Sequence, residues 1–290
     1  LFLSFGIIIP LLLICGFTAI RFSNIPSDSI RNMLSMLYLF TTTLSFLFVP
    51  SLKTPLKIFF GLQACIWIWW TCITPSNDRE WPVEISRMPK TEFKEDMVHI
   101  SDLRNFHYRS NNDYDVRFEN RSFDLNKITG TDLFLSYWDG NQGIAHTFLS
   151  FRFEDAEPLC ISVEVRRELN ETYNTAKGLF KQFELFYVMG SEKDILQVRT
   201  NYRGEECFLY PTQLNPSHSR QLLTSILKGA NKLIEEPKFY HTLGQNCTTT
   251  LVDHFNELDD IQVASHRKLL LNGISDHFAY QQGLLSNELP

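Results

Sequence analysis

The sequence predicts an α+β protein: apolar N-terminal helices, then a domain with an antiparallel sheet and a helix that opens on a cysteine. Three observations carry this. Residues 1–20, 32–52 and 58–77 lack charge, and a run of about twenty apolar residues is what a membrane-crossing helix needs. Several short alternating runs separated by turn signals follow, the pattern of a meander. Two stretches with helical apolar spacing come last, and the second begins at Cys247.

The first third, residues 1–77, reads as three transmembrane helices. The third segment ends in Trp67, Trp69 and Trp70, residues that favour the membrane–water boundary. A signal peptide does not explain three such segments, none of which ends in a small-residue cleavage pattern. The loop over 51–57 carries Lys53 and Lys57 and no acid, whereas the loop over 21–31 carries Arg21, Arg31 and Asp28. The positive-inside rule then puts the lysine loop in the cytoplasm and the following domain outside, on the periplasmic side of an inner membrane.

Residues 78–96 read as a linker leading away from the membrane, with Pro82 and Pro89. Residues 97–290 read as the extracytoplasmic domain. Strands are expected over 99–108, over 132–138 closed by the turn signal Asp139-Gly140-Asn141, over 144–153, over 159–166 and over 208–211. Helices are expected over 177–185, over 216–235 with Leu222, Leu223, Ile226, Leu227, Ala230 and Leu233 on one face, and over 248–258. The tail after Asp259 reads as helical.

Charge excludes one class of partner. The 290 residues hold 27 basic and 33 acidic side chains. Only four of the basic and one of the acidic lie in 1–77, so the rest of the chain is strongly acidic and a poor nucleic-acid binder. The six cysteines form no disulfide framework and no zinc-like spacing. One bridge, Cys160–Cys207, with Cys247 left as a thiol, fits the count, although spacing does not establish it.

Cys247 is the first candidate for chemistry. A thiol at a helix start is favoured as thiolate by the dipole and the exposed backbone N–H groups. The commoner fate of a lone cysteine is burial as a small hydrophobe, but Gln245, Asn246 and Thr248–Thr250 are poor company for a core. His146 is the candidate base. On its strand it shares a face with Phe148, Ser150 and Arg152, opposite Thr147, Leu149 and Phe151. Glu164, one hairpin away, is placed to orient the imidazole; an ion pair with Arg152 or Arg166 is its structural alternative. Two backbone N–H groups at such a helix start can also cradle an oxyanion.

The motifs also carry a resemblance. His146 preceding the late pair Asn246-Cys247 is similar to the circularly permuted papain-like fold of lecithin–retinol acyltransferase and related enzymes. Asp102-Leu-Arg-Asn-Phe, Ala145-His-Thr-Phe-Leu-Ser-Phe, Ser162-Val-Glu-Val-Arg-Arg-Glu168, Arg199-Thr, Leu209-Tyr-Pro, Pro237-Lys-Phe-Tyr240 and Asn246-Cys-Thr-Thr, in that order over most of 97–258, resemble the Lnb-type lipoprotein N-acyltransferase domain family. The resemblance implies transfer of an acyl chain from a phospholipid, through a Cys247 thioester, to the α-amine of a diacylglyceryl-cysteine lipoprotein. It makes Asn246 and Gln245 candidates for the oxyanion and Tyr137 and Arg166 candidates for substrate positioning, and it implies no metal or other cofactor and a membrane as the site of both substrates. Two other readings stay open: a membrane-anchored thiol phospholipase or amidase with water as acceptor, and a non-catalytic lipid-binding module.

Overall fold

The computed structural model describes residues 2–138, 140, 143–263 and 272–286. Three helices open it: α1 (Phe2–Arg21), α2 (Asp28–Phe48) and α3 (Lys53–Cys72). They pack through Ala19, Ile20, Tyr38, Phe59 and Ile66, and Tyr38 donates its hydroxyl to Gln63 Oε1 at 2.7 Å inside the bundle. The expected three spanning segments need correction. They are helical where expected, but among the described residues no helix is long and apolar enough to cross a membrane. Polar residues dilute two of them: Arg31, Asn32, Ser35, Thr42 and Ser45 in α2, and Lys53, Lys57 and Gln63 in α3. The bundle's outer surface is nonetheless apolar, with Ile7, Leu11, Ile14, Phe40, Leu47 and Ile68 exposed.

The stretch expected as a linker contains a first strand, β1 (Lys90–Lys94), paired with β2 (Met97–Arg104). A small hairpin follows, β3 (His107–Tyr108) with β4 (Tyr114–Asp115), then β5 (Phe118–Asp124), β6 (Ile128–Tyr137), β7 (His146–Phe153), β8 (Leu159–Arg166), β9 (Glu184–Ser191) and β10 (Glu206–Pro211). The main sheet runs β1-β2-β9-β8-β7-β6-β10, with β5 on β2. It is mixed, not wholly antiparallel as expected, because β2 meets β9 in parallel at Arg104↔Gly190. The expected strand over 99–108 is split between β2 and β3. The expected turn residues Asp139 and Asn141 lie outside the described residues.

Alternation places two sets of side chains on the two faces. Leu149, Phe151, Ile161, Val163, Leu185 and Met189 join the larger core, which α5 (Pro216–Glu235) covers. Phe134, Phe148, Cys160, Phe186 and Val188 join the second, with Ile195 from α4 (Glu192–Gln197). Asn215 starts α5 by accepting from the His218 N–H at 2.8 Å, with Pro216 in the first turn, where its missing N–H costs nothing. The apolar face predicted for α5 is wholly buried.

The helix expected over 177–185 is not formed. Only a short turn, Lys177–Leu179, is helical, and from Glu184 the chain enters β9, every residue of which is buried. Tertiary pairing with β8 along the whole strand outweighs the local helical pattern. After Asp259 the described part of the tail holds α7 (Ser275–Gln281), while 264–271 lie outside the described residues. No disulfide joins Cys160 to Cys207: both are free thiols. β7 and β6 stand between their strands, which puts the strands about 14 Å apart at the usual spacing, and the register sets Pro211, not Cys207, level with Cys160.

Candidate active site

Cys247 is the first residue of α6 (Cys247–Phe255), and its position follows from the cap. The Asn246 side chain accepts from the Thr249 N–H at 2.9 Å, and the Thr249 hydroxyl accepts from the Asn246 N–H at 2.9 Å. This reciprocal capping box fixes where the helix starts and so where the thiol stands. Cys247 is buried, at the positive end of the helix dipole.

His146 begins β7, and β8 pairs with β7 so that Ser162 lies opposite Phe148. His146 Nε2 lies 2.6 Å from Ser162 Oγ and 3.2 Å from Glu164 Oε1. Ser162 donates its only proton to Glu164 Oε1 at 2.6 Å, so its oxygen must accept from the imidazole, which assigns the proton to Nε2. Nδ1 is thereby left for the thiol, and the two side chains are hydrogen-bonded. Arg199 closes the chain, donating from Nη2 to Glu164 Oε1 at 2.7 Å and from Nη1 to the Ile195 carbonyl at 2.7 Å. Arg199 comes from a π-helical turn, Val198–Arg203, an irregularity frequent at functional sites.

The electrostatics follow from this relay. Burial works against charge on all three groups. At His146 it is overcome by the Glu164 carboxylate and the adjacent Cys247 sulfur, and the imidazole pKa is pushed up to about 9. At Cys247 burial raises the pKa, but the imidazolium charge, its hydrogen bond and the Thr147 N–H bring it below the usual thiol value. At Glu164 burial is opposed by His146, Arg199 and the Ser162 hydroxyl, which hold it well below the carboxylate range. The arrangement therefore favours a thiolate–imidazolium pair, a nucleophile that needs no further deprotonation.

The thiol opens into a cleft of about 380 Å³, lined among others by Trp138, Arg167, Tyr173, Arg203 and Tyr240. The structure thus brings together Cys247, His146 and Glu164 of the sequence candidates. The other four stand elsewhere. The Asn246 amide is committed at both ends, since its Nδ2 donates to the Thr242 carbonyl at 2.6 Å. Gln245 exchanges backbone hydrogen bonds with His241. Tyr137 donates its hydroxyl to the Gly273 carbonyl at 2.7 Å. Arg166 is buried, gives its guanidinium to the Ile85 and Ser86 carbonyls and Asn77 Oδ1, and lies 4.2 Å over the Trp81 ring. None of these four lines the cleft.

Sequence reasoning missed Ser162 and the role of Arg199. Ser162 alternates with Glu164 on one strand face, a signal that was readable; Arg199 is brought in by tertiary structure alone. Among the described residues no His, Cys, Asp and Glu cluster is arranged to hold a metal ion.

The family model described as the Lnb N-terminal periplasmic domain matches residues 114–276, more than half of the chain, from β4 into α7 and including His146, Glu164 and Cys247. No curated protein and no solved structure matches the chain.

Proposed function

The chain belongs to the Lnb N-terminal periplasmic domain family, and from that premise we propose that it is a thiol acyltransferase of lipoprotein maturation. The observation that carries the reading is the Cys247–His146–Glu164 relay at a helix N-terminus.

The steps use only groups already placed. The Cys247 thiolate attacks the ester carbonyl of a phospholipid. The oxyanion of the tetrahedral intermediate develops where the first N–H groups of α6 point, Cys247's among them. Collapse breaks the bond to the alcohol oxygen, and the His146 imidazolium delivers its proton to the departing lysophospholipid. A thioester remains on Cys247 beside a neutral imidazole. The α-amine of a diacylglyceryl-cysteine lipoprotein then attacks, His146 takes the amine proton, and the thiolate leaves. A site that excludes water favours the amine. The thioester lies above the oxygen ester in free energy, and its aminolysis to the far more stable amide draws the sequence forward.

The proposed setting is the outer leaflet of an inner membrane, where both substrates reside. The apolar outer surface of α1–α3 supports this, because exposed apolar area on this scale marks a partner or a lipid phase.

The test is direct. Purified full-length protein is incubated with phospholipid labelled in its acyl chain, and Cys247 is examined by mass spectrometry for an acyl adduct removable by hydroxylamine. An adduct that passes to an added lipoprotein amine is the expected result. An adduct that yields only free fatty acid in the presence of acceptor makes the protein a hydrolase. The absence of any adduct, with His146→Asn used to slow its breakdown, rejects the covalent mechanism.

A further inference from the structure

The cleft has a mouth, and the residues around it are unusual for a water-facing edge. Trp138 and Tyr173 meet edge to face at 6.1 Å on one side, and both are exposed although they line the cleft. Tyr173 packs in turn on Tyr240, which lines the cleft beside Cys247.

Two hydrogen bonds fasten the next part of this edge. The Thr242 N–H donates to the Gly178 carbonyl at 2.8 Å, and the Thr242 hydroxyl donates to the Thr175 carbonyl at 2.9 Å. Gly178 tolerates no side chain there, since an added Cβ would stand 2.4 Å from Thr242 Oγ1. The loop after Tyr173 and the turn before α6 are thus stitched together, which sets Leu179 and Leu243 close on one edge. They are 37% and 47% exposed.

The same loop continues into the helical bundle. Phe180 packs on Phe22 at 5.7 Å and on Trp70 at 5.8 Å. Lys181 donates to the Trp70 and Ile73 carbonyls at the end of α3, at 2.9 and 3.0 Å. The bundle end that meets this loop therefore carries the tryptophans and a lysine, side chains that settle at a lipid–water boundary.

We propose that Trp138, Tyr173, Leu179 and Leu243 form a docking rim that seats the mouth of the Cys247 cleft in the lipid surface met by the bundle. Continuity carries the choice of a lipid surface as the occupant. The apolar exterior of α1–α3 runs through Trp70 and Phe180 to Leu179; of the ion pairs at this bundle end, Arg31–Glu171 is buried and Arg21–Asp28 lies at the α1–α2 turn. A lipid chain then passes sideways from the surface into the cleft without crossing water. The proposal rests on the reading of the protein as a lipid-consuming acyltransferase, but its geometry is tested without turnover.

The test uses the full chain in nanodiscs of phosphatidylethanolamine and phosphatidylglycerol, with Cys15, Cys65, Cys72, Cys207 and Cys247 replaced by Ala in the labelled protein. One fluorophore is attached at Leu243→Cys or at Glu157→Cys. Glu157 sits in the turn after β7, at the far end of the strand that His146 begins. Nitroxide-bearing lipid should quench the label at 243 several-fold more than at 157. Equal quenching, or none at 243, overturns the rim whatever the fate of the acyl adduct. The second arm compares Cys247 acylation in Leu179→Glu/Leu243→Glu with the native chain. Acylation from vesicle lipid should fall at least tenfold, and that from a monomeric short-chain phospholipid should stay within twofold. Equal losses on both donors, or no loss on vesicles, also overturn it. An absent adduct in the native chain with quenching intact rejects the acyltransferase reading and leaves the rim.

Discussion

The two ends of α6 hold the same three-part chain and opposite proton chemistry. At its start, His146 is linked through the Ser162 hydroxyl to Glu164. In its last turn, His254 is linked through the Ser225 hydroxyl, at 2.6 Å, to Glu257. Both imidazoles are largely buried, and burial alone lowers a histidine pKa. Yet His146 is pushed up to about 9 and His254 down to about 4.

The difference lies on the other ring nitrogen and in how close the carboxylate comes. Glu164 reaches the His146 ring directly at 3.2 Å, and the remaining nitrogen faces a thiol whose own pKa is held below the usual thiol value. Glu257 reaches His254 only through Ser225, and His254 Nε2 lies 2.8 Å from the Tyr187 hydroxyl, whose own pKa burial drives far up. Ser225 gives its proton to Glu257 and so accepts from Nδ1, which leaves Nε2 as the acceptor from Tyr187. A proton on Nε2 would cost that bond. A thiol gives its proton to histidine and a buried phenol keeps it, so one end of the helix is reactive and the other structural.

The largest effects break the reactive end outright. Cys247→Ala should abolish the acyl adduct, and His146→Asn should slow its formation about 10³-fold or more, because the nucleophile and its base act as one unit. Both variants should fold, which near-ultraviolet circular dichroism checks. A Cys247→Ala protein with native transfer activity would return the chain to a lipid-binding role.

Glu164→Gln tests what separates the two histidines. The rate of Cys247 acylation should fall about 10²-fold. Its alkaline limit should move from about 9 towards the ordinary histidine value. The sign follows from the ion pair: it is present below the folded His146 pKa and is lost as pH rises through it. An unchanged pH profile would mean that Glu164 positions Arg199 and not the imidazole.

At the structural end the sign reverses. His254 is neutral in the folded protein, with a pKa of about 4 against 6.5 unfolded. Its contribution to stability is complete above pH 6.5 and is lost as pH falls towards 4, by about 3 kcal/mol in all. Tyr187→Phe removes the donor on Nε2. Melting at pH 7 should show a loss of about 1–3 kcal/mol, and the further drop between pH 6.5 and 4 should shrink. Cys247 acylation at pH 7 should stay near native.

How much of this was legible in the sequence depends on what kind of constraint set each feature. α5 and α6 were readable because an apolar stripe and a cap are local signals. Cys247 and His146 were readable because their residue types are rare in such surroundings. β9 was not readable as a strand, and its first two residues read as the end of a helix over 177–185, because its pairing with β8 is not written in its own pattern. The role of Arg199, though not the residue, is invisible for the same reason: only the packed π-helical turn aims it at Glu164. The second histidine chain illustrates the limit. His254 gave no signal, since Tyr187 and Ser225 reach it from two other elements.

Asn246 is where sequence and geometry differ on a testable point. The Asn-Cys pair suggests an amide aimed at the oxyanion, whereas the structure spends both its ends on the cap and on Thr242. A cap lost to alanine costs about 1 kcal/mol, and serine caps nearly as well as asparagine. Asn246→Ala should therefore lower stability by about that amount, and Asn246→Ser should restore most of it with a near-native acylation rate. An oxyanion donor behaves differently, because serine lacks the amide N–H and its loss costs about 10²–10³ in rate whatever the stability. A well-folded Asn246→Ser protein with a rate lowered by that factor would move Asn246 from the cap into the chemistry. The reactive end of α6 would then depend on its side chains for the oxyanion as well as for the thiolate.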